Sequence, residues 1–377
     1  LERLLSHTRR WTELVQLYES EAQRRGRGGV DSLVLLGRLA RDQLDDPKLA
    51  AQALERAVAL NPTGSEALEH LKDVYQRTER WPKLLDTLRL EIGLVKDDPR
   101  QRESLLRSAA ELAEEKLGDL ATAERFYAEI VGLAPRDKPL IQALARVQEA
   151  RGEWSGLAEA LGRELGLTSD RGEVINLRRR LAEVFATKLG QPFQAIEHFR
   201  RLLELSPADP DALKRLTELL REEREWSELT RVIELRLQHD PRSLPLQLEL
   251  ARTHSERLEQ PAPAVQAAER ILQQDPTCRE AAELLVETHR RFKGVPAGLA
   301  QALQRLAAVA TGRERADALS ELATILKDQL GQREGALSAL REAFRADPTH
   351  KDALDALAGS AVQARVAPQP GGDGDAA

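Results

Sequence analysis

The sequence predicts an all-α protein, an α-solenoid of stacked antiparallel helix hairpins with about twenty helices. Two markers that recur about every 72 residues, and the spacing of apolar residues between them, support this class. The first marker is tryptophan, in a chain with only 3% aromatic residues. Its separations of 70, 73 and 72 belong to Trp11, Trp81, Trp154 and Trp226. Such even spacing indicates an internal repeat.

The second marker is a proline that closes a recurring segment, for example "KLGDLATAERFYAEIVGLAP" and "KLGQPFQAIEHFRRLLELSP". Separations of 73, 72, 69 and 72 belong to Pro62, Pro135, Pro207, Pro276 and Pro348. The 69-residue step places the fifth equivalent of tryptophan at Val295, inside "GVPAGLAQALQRL". We therefore expect the joint at Val295 to pack differently from the other four.

Between the markers, apolar residues recur at intervals of three and four, as amphipathic helices require. In "PDALKRLTELLREEREWSELTRVIELRL" this spacing gives two apolar stripes separated by charges. The pairs Asp98-Pro99, Asp209-Pro210 and Asp240-Pro241 are typical of an N-cap followed by a first-turn proline. Each unit is thus two helical hairpins, which must stack on their neighbours to bury both faces.

The composition disfavours several functions. A net charge of -6, without long basic blocks, argues against nucleic-acid binding. No run of 18 apolar residues predicts a membrane span. The single Cys278 forms no internal disulfide, which allows a reducing compartment such as the cytoplasm but leaves the periplasm open. The 45 arginines among 56 basic residues suggest a bacterial genome rich in G and C.

No catalytic or metal-binding motif is present in the sequence. The seven histidines are dispersed, none in a spacing such as H-E-x-x-H, and no phosphate-binding glycine loop or nucleophile elbow occurs. Catalytic carboxylate pairs need a pocket that separates their pKa values, whereas a solenoid mainly offers an open surface. We therefore predict no catalytic residues, no cofactor and no metal, and a protein that is not an enzyme.

The first unit begins in the middle of the repeat, so we expect the parent protein to continue before Leu1. Residues 1–364 are predicted to form one solenoid of about five double repeats. Residues 365–377 end in "APQPGGDGDAA", whose proline, glycine and alanine content is typical of a flexible tail.

The pattern resembles the tetratricopeptide repeat (TPR), a helix-turn-helix of 34 residues, over nearly the whole chain. In residues 210–243, Leu213, Leu216 and Leu220 match the large apolar positions of the first helix, and Trp226 matches the bulky position that opens the second. In the alternate hairpin, the matching residues of the second helix and its end are Ala123, Tyr127, Ile130 and Pro135. The hairpins that contain "LG" carry one extra residue between their helices, and Lys72 replaces a small residue.

The resemblance implies a right-handed superhelix whose first helices line a concave groove that binds peptides or helices. By position, the groove would contain a mixed-charge strip of Glu69, Asp73, Arg77, Gln142, Arg146, Glu149, Lys214, Glu218, Arg221, Glu283, Glu287 and Arg290. The alternative is a solvated face held by i,i+4 pairs such as Lys214 with Glu218. Chaperone-binding members of the family hold the C-terminal carboxylate of the chaperone with lysine and asparagine side chains on the groove helices. Because the groove positions of this chain hold no asparagine, recognition of a chaperone's C-terminal tail is disfavoured.

The sequence thus favours a non-catalytic scaffold that binds a protein or peptide segment in its groove, with no nucleic acid and no membrane span. Two alternatives stay open. One is an architectural spacer or a solenoid that assembles with itself. The other is a regulatory or envelope-assembly domain of a larger protein.

Overall fold

The structure, a computed structural model, describes residues 1–95 and 97–366. Within these residues the chain is helical throughout, without a strand, and contains 21 α-helices. It divides into two compact units, Leu1–His198 and Phe199–Ala377. In chain order, the helices α1 to α21 are Glu2–His7, Trp11–Arg25, Val30–Asp42, Pro47–Leu60, Ser65–Arg77, Trp81–Leu94, Pro99–Glu111, Leu120–Leu133, Lys138–Arg151, Trp154–Leu167, Arg171–Glu183, Pro192–Leu205, Pro210–Glu222, Trp226–His239, Leu244–Arg252, Pro261–Gln274, Arg279–Arg291, Pro296–Val309, Gly312–Asp328, Arg333–Ala346 and Lys351–Val366.

Consecutive helices form antiparallel hairpins, with the odd-numbered helices as first helices and the even-numbered ones as second helices. Every second helix from α4 to α20 has 14 residues. The predicted all-α helical repeat is therefore confirmed. The helix α21 reaches Val366, and the remainder of the predicted tail lies outside the described residues.

Two of the three predicted aspartate caps are present. The Asp98 carboxylate accepts hydrogen bonds from the Arg100 and Gln101 amides, and Asp209 accepts one from Ala212. The third prediction was wrong, because Asp240 ends α14 instead of opening α15.

The chain turns after Asp240, so that α15 begins only at Leu244 and has 9 residues where α11 has 13. The buried side chain of Gln247 fixes this turn by donating a hydrogen bond to the Pro241 carbonyl at 2.6 Å. The missing helical turn accounts for the 69-residue step between repeats.

All ten turns inside the hairpins contain one residue with a left-handed backbone, always at the equivalent position. Four of these residues are glycines, and the others are Arg9, Asp45, Glu79, Arg224, Glu259 and Lys293. A left-handed conformation costs a residue with a Cβ about 1–2 kcal/mol. The geometry of the turn is therefore repeated even where the sequence does not favour it.

At two glycines an added Cβ would contact no other atom. Alanine at these positions therefore measures the effect of backbone conformation without a change in packing. A Cβ at Gly118, which has φ +64, or at Gly162, inside α10, would meet no atom within 4 Å. We expect Gly118→Ala to lower the free energy of unfolding by about 1 kcal/mol and Gly162→Ala to raise it by about the same amount. Urea unfolding followed by circular dichroism measures both. Equal signs for the two variants would contradict this account of the turn.

In three of the longer hairpins, which carry an extra residue between their helices, this residue is absorbed as a turn of π-helix at the end of the first helix. These turns span Leu112–Lys116, Val184–Lys188 and Thr253–Arg257. In the first of them, the Leu117 amide donates to the Leu112 carbonyl at 3.2 Å, five residues back. The wider turn accommodates one residue without shifting the start of the next helix.

The joint at Val295 is packed differently, as expected. Val295 is 72% exposed, and Gly298 stands three residues later, where the other four joints have the buried leucines Leu14, Leu84, Leu157 and Leu229. The His289 imidazole fills the space. A Cβ at Gly294 would lie 2.4 Å from its Nδ1, and one at Gly298 would lie 2.7 Å from its Cε1. The absence of a Cβ at Gly294 and Gly298 therefore leaves room for the His289 imidazole ring.

Burial lowers the pKa of His289 from its ordinary value, which the charge of Glu269 offsets only in part. Because the folded pKa lies below the unfolded one, the unfolded chain takes up the proton first. The free energy of unfolding is therefore expected to fall as the pH drops below about 6.5. In His289→Leu this loss should be smaller, as shown by urea unfolding at several pH values. An unchanged pH profile would contradict the assignment.

Candidate partner-binding surface

All twelve residues predicted for the groove lie on four first helices, α5, α9, α13 and α17. These helices alternate with α7, α11, α15 and α19, which the sequence prediction left out. The omitted helices supply many of the partners. Arg146 binds Glu114, Glu149 binds Arg180, and Arg221 binds Glu249. The predicted residues are thus joined through intervening first helices.

Ion pairs connect successive first helices in each unit. In the unit Leu1–His198 they are Arg38–Glu66, Arg41–Asp73, Arg107–Asp137, Arg146–Glu114, Lys138–Glu173 and Arg180–Glu149. In the unit Phe199–Ala377 they are Arg221–Glu249, Arg252–Glu280, Arg279–Glu314 and Arg290–Glu321. We call these pairs the ion-pair ladder. The partners lie 28 to 35 residues apart in sequence, about one hairpin.

Arg146 belongs to a network that fixes its position. Its Nε and Nη2 donate to the two oxygens of Glu114 at 2.9 and 3.0 Å. The Tyr127 hydroxyl also donates to Glu114, at 2.9 Å. Burial, followed by this hydrogen bond to a carboxylate, raises the pKa of Tyr127. Arg146 is therefore first a structural residue, although its side chain is 65% exposed.

Three predicted groove residues remain available to a partner. In the part of the chain that the structure describes, Glu69, Lys214 and Glu287 are exposed and form neither an ion pair nor a side-chain hydrogen bond. Glu218 pairs with Arg215 at 2.8 Å, three residues before it, and not with Lys214. The surface of the first helices thus combines bound charges with isolated ones.

Each tryptophan opens a second helix, and three of them contact a cation of the following hairpin. Lys116 Nζ lies 5.7 Å from the centre of the Trp81 ring, Lys188 Nζ lies 4.8 Å from Trp154, and the Arg257 guanidinium lies 5.2 Å from Trp226. Each cation ends a π-turn. At the joint of Val295, which lacks the ring, the equivalent residue is Gln329. This pairing of cation and ring was not predicted from the sequence.

We expect the Trp154–Lys188 contact to stabilise the unit Leu1–His198 by about 0.5–1 kcal/mol. A double-mutant cycle of Trp154→Leu and Lys188→Gln, measured by urea unfolding, gives this coupling energy directly. Lys116→Gln combined with Trp154→Leu is the matched control, since Lys116 covers Trp81. Coupling equal to that of the control would show that the contact contributes nothing.

The short helix α15 leaves a cavity of about 530 Å³ beside Trp226. Its apolar lining includes Trp226, Leu229, Leu244 and Leu248. Leu244 is 38% exposed, whereas Leu229 is buried. Charged residues surround this lining, namely Arg221, Glu249, Arg252, Glu256, Arg257 and Glu280. The cavity thus places an apolar depression within the ion-pair ladder.

A second cavity, of about 740 Å³, lies between α19, α20 and α21. It contains an Asp317–His350 pair and Ser320, but both imidazole nitrogens of His350 are already bonded. Nε2 lies 2.8 Å from Asp317 Oδ1, and Nδ1 accepts from the Ala353 amide at 3.2 Å. The imidazole is therefore not arranged to activate a serine hydroxyl.

Residues 1–95 and 97–366 contain no group of three or more histidine, cysteine or acidic side chains that could hold a metal ion. None of the helices in these ranges is long and apolar enough to cross a membrane.

No family model and no curated protein matches the chain. Several solved structures have a similar fold. One is Naa15/Naa10 bound to HypK-THB, at 11% identity and TM-score 0.40, with 94% of this chain and 65% of that chain covered. Another is a tetratricopeptide repeat protein from Parabacteroides merdae, at 16% identity and TM-score 0.30, with coverage of 68% and 98%. A third is YrrB, described as a TPR protein with an unusual peptide-binding site, at 18% identity and TM-score 0.30, with coverage of 52% and 96%.

The chain's own geometry confirms the predicted resemblance at the level of the fold. Its described residues contain ten consecutive helix-turn-helix hairpins, with second helices of 14 or 15 residues and a turn of constant geometry. The protein is an all-α repeat protein whose helical hairpins are similar to those of tetratricopeptide repeats.

Proposed function

We propose that the protein is a non-catalytic scaffold that binds a protein or peptide segment along the surface of its first helices. The observation that carries this proposal is the cavity beside Trp226, where one missing turn of α15 uncovers apolar side chains inside a charged surface. Protein interfaces commonly combine an apolar centre with a polar rim. A partner segment would place a large apolar side chain in the cavity and polar groups over the ladder.

Charge distribution supports a partner of mixed charge. Glu249 and Glu280 in the rim are held by Arg221 and Arg252, so most of the rim's charge is internally balanced. Lys214 on α13 and Glu287 on α17 add an exposed cation and an exposed anion that form no ion pair with another side chain in the part of the chain that the structure describes. A strongly basic or acidic ligand would gain little from such a surface.

We expect Leu244→Glu to abolish binding of the peptides that wild-type protein selects from a random-peptide display library. The carboxylate would enter the apolar cavity, and burying it without a partner is costly. Leu235→Glu is the matched control, because Leu235 on α14 is 37% exposed and does not line the cavity. Circular dichroism confirms folding of both variants. Equal loss in both, or in neither, would contradict a binding site in this cavity.

The charged surface can be tested separately with Lys214→Glu and Glu287→Lys. Both side chains are exposed and unpaired, so reversal leaves the ladder intact. Arg146→Glu is less informative, since it would set two carboxylates against each other at Glu114. If the selected peptides bind both variants as well as wild type, contact of the partner with Lys214 and Glu287 is excluded. If no peptide is selected and the protein associates with itself, the alternative of a self-assembling spacer gains support.

A further inference from the structure

The cavity beside Trp226 and the second cavity are lined by equivalent faces of the first helices α15 and α19. The closing prolines place equivalent residues of these two hairpins 72 positions apart. Only α17 separates the two helices, and it reaches both cavities, because Glu280 lines the first and Arg290 binds Glu321 in the second. The cavities therefore belong to one continuous surface. With the offset of 72, six lining residues correspond, namely Pro245 and Asp317, Leu248 and Ser320, Glu249 and Glu321, Arg252 and Thr324, Glu256 and Asp328, and Glu280 and Asp352.

An arginine is replaced at one of these positions. Beside Trp226, Arg252 Nη2 lies 3.0 Å from Glu280 Oε2 in the first turn of α17. The second cavity keeps the carboxylate, as Asp352 in the first turn of α21, but has Thr324 in place of the arginine. Asp352 is exposed, and among the described residues it forms no ion pair and no side-chain hydrogen bond. The second cavity thus contains a carboxylate without the arginine that its counterpart has.

Two further replacements make this lining more polar. Asp317 stands where the cavity beside Trp226 has Pro245, and Ser320 stands where it has Leu248. The Asp317 side chain is 60% exposed. The Ser320 hydroxyl oxygen is buried and has no hydrogen-bond partner among the described residues. An apolar side chain would leave these groups without partners, whereas a cation with several N–H donors offers partners to them.

We propose that the second cavity binds an arginine side chain of the same partner segment that places an apolar side chain beside Trp226. This proposal rests on the proposed function and names the chemistry of its partner. The guanidinium would take the position that Arg252 has at the preceding joint, with the Asp352 and Asp317 carboxylates as acceptors. A planar group with five donors suits two carboxylates better than the single charged centre of a lysine does.

The rest of the lining suits the aliphatic part of such a side chain. Leu337 and Leu340 on α20 line the cavity, and arginine stems commonly cover apolar surface. The cations Lys327 and Arg333 stand where α19 ends and α20 begins. Lys327 follows Asp317 by ten residues, which is about 15 Å along a helix.

Both carboxylates lie at the other end of the cavity. Asp317 Oδ1 is 2.8 Å from His350 Nε2, and Asp352 follows His350 by two residues. The local charge around them is therefore negative, although the lining as a whole also contains cations.

The position of the guanidinium can be tested without a partner in Thr324→Arg. The new side chain should bind Asp352 as Arg252 binds Glu280, so the amides of residues 351–358 should exchange hydrogen about threefold more slowly than in Thr324→Met. Methionine has a similar length but no charge. Asp352→Asn should remove the difference, whereas Asp355→Asn, an exposed residue of α21 outside the cavity, should not. Equal exchange in the arginine and methionine variants would overturn the proposal.

Binding is tested with the peptides that wild-type protein selects from the display library. We expect them to contain an arginine whose replacement by citrulline, a neutral analogue of similar shape, weakens binding to wild type about fivefold. In Asp352→Asn the same replacement should have little effect. Thr324→Arg, whose own side chain fills the cavity, should bind the arginine peptides as weakly as wild type binds the citrulline peptides. Asp355→Asn should bind like wild type.

Failure of the arginine site is distinguishable from failure of the function on which it rests. Peptides that lose binding to Leu244→Glu but bind wild type equally with arginine or citrulline would overturn the arginine site alone. Peptides that require Asp352 but not Leu244 would support the arginine site and contradict the binding site beside Trp226. Selection of no peptide would overturn both.

Discussion

The structure depends on one constraint, which is that no hairpin of this chain buries both of its faces alone. The fully buried side chains, such as Leu54, Leu106 and Leu161, come from different hairpins but belong to one core in the unit Leu1–His198. Stability in such arrays is a sum of weak hairpins and the interfaces between neighbours. The turns, the caps and the ion pairs therefore all have to keep neighbouring hairpins aligned, because stability depends on the interfaces between them.

Three structural features align the hairpins, namely the turns, the tryptophan–cation contacts and the surface ion pairs. The left-handed residue of every turn sets how the two helices of a hairpin meet, and it is retained even when that residue is Arg224 or Lys293. Half-buried tryptophans under a lysine or arginine mark the joint between hairpins. At the surface, the ion-pair ladder joins first helices. A surface pair contributes little by itself, and a series of bidentate arginine contacts such as Arg146 with Glu114 mainly specifies alignment.

The repeat, the helices and the unusual joint at Val295 could be predicted from the sequence, because each of them follows from the regular spacing of particular residue types. The late start of α15 could not. Asp240-Pro241 looks like a cap and first turn, but the segment is a loop whose Pro241 carbonyl accepts a hydrogen bond from the buried Gln247 side chain six residues later. The predicted surface was also incomplete. It included only the first helices α5, α9, α13 and α17. Partners such as Glu114, Arg180 and Glu321 belong to the first helices of the alternate hairpins, where the residue spacing is different.

The π-turns have a consequence for how such a chain can grow. Hairpins of two lengths alternate, and three hairpins of the longer type end their first helix with a cation that covers the tryptophan of the shorter type before it. Duplicating or deleting a single hairpin would bring two of the same type together and leave a ring without its cation. Copying a pair of hairpins restores every joint. The repeating unit of this protein is therefore a pair of hairpins. This agrees with the recurrence of its tryptophans and closing prolines at about 72 residues and not at half that distance.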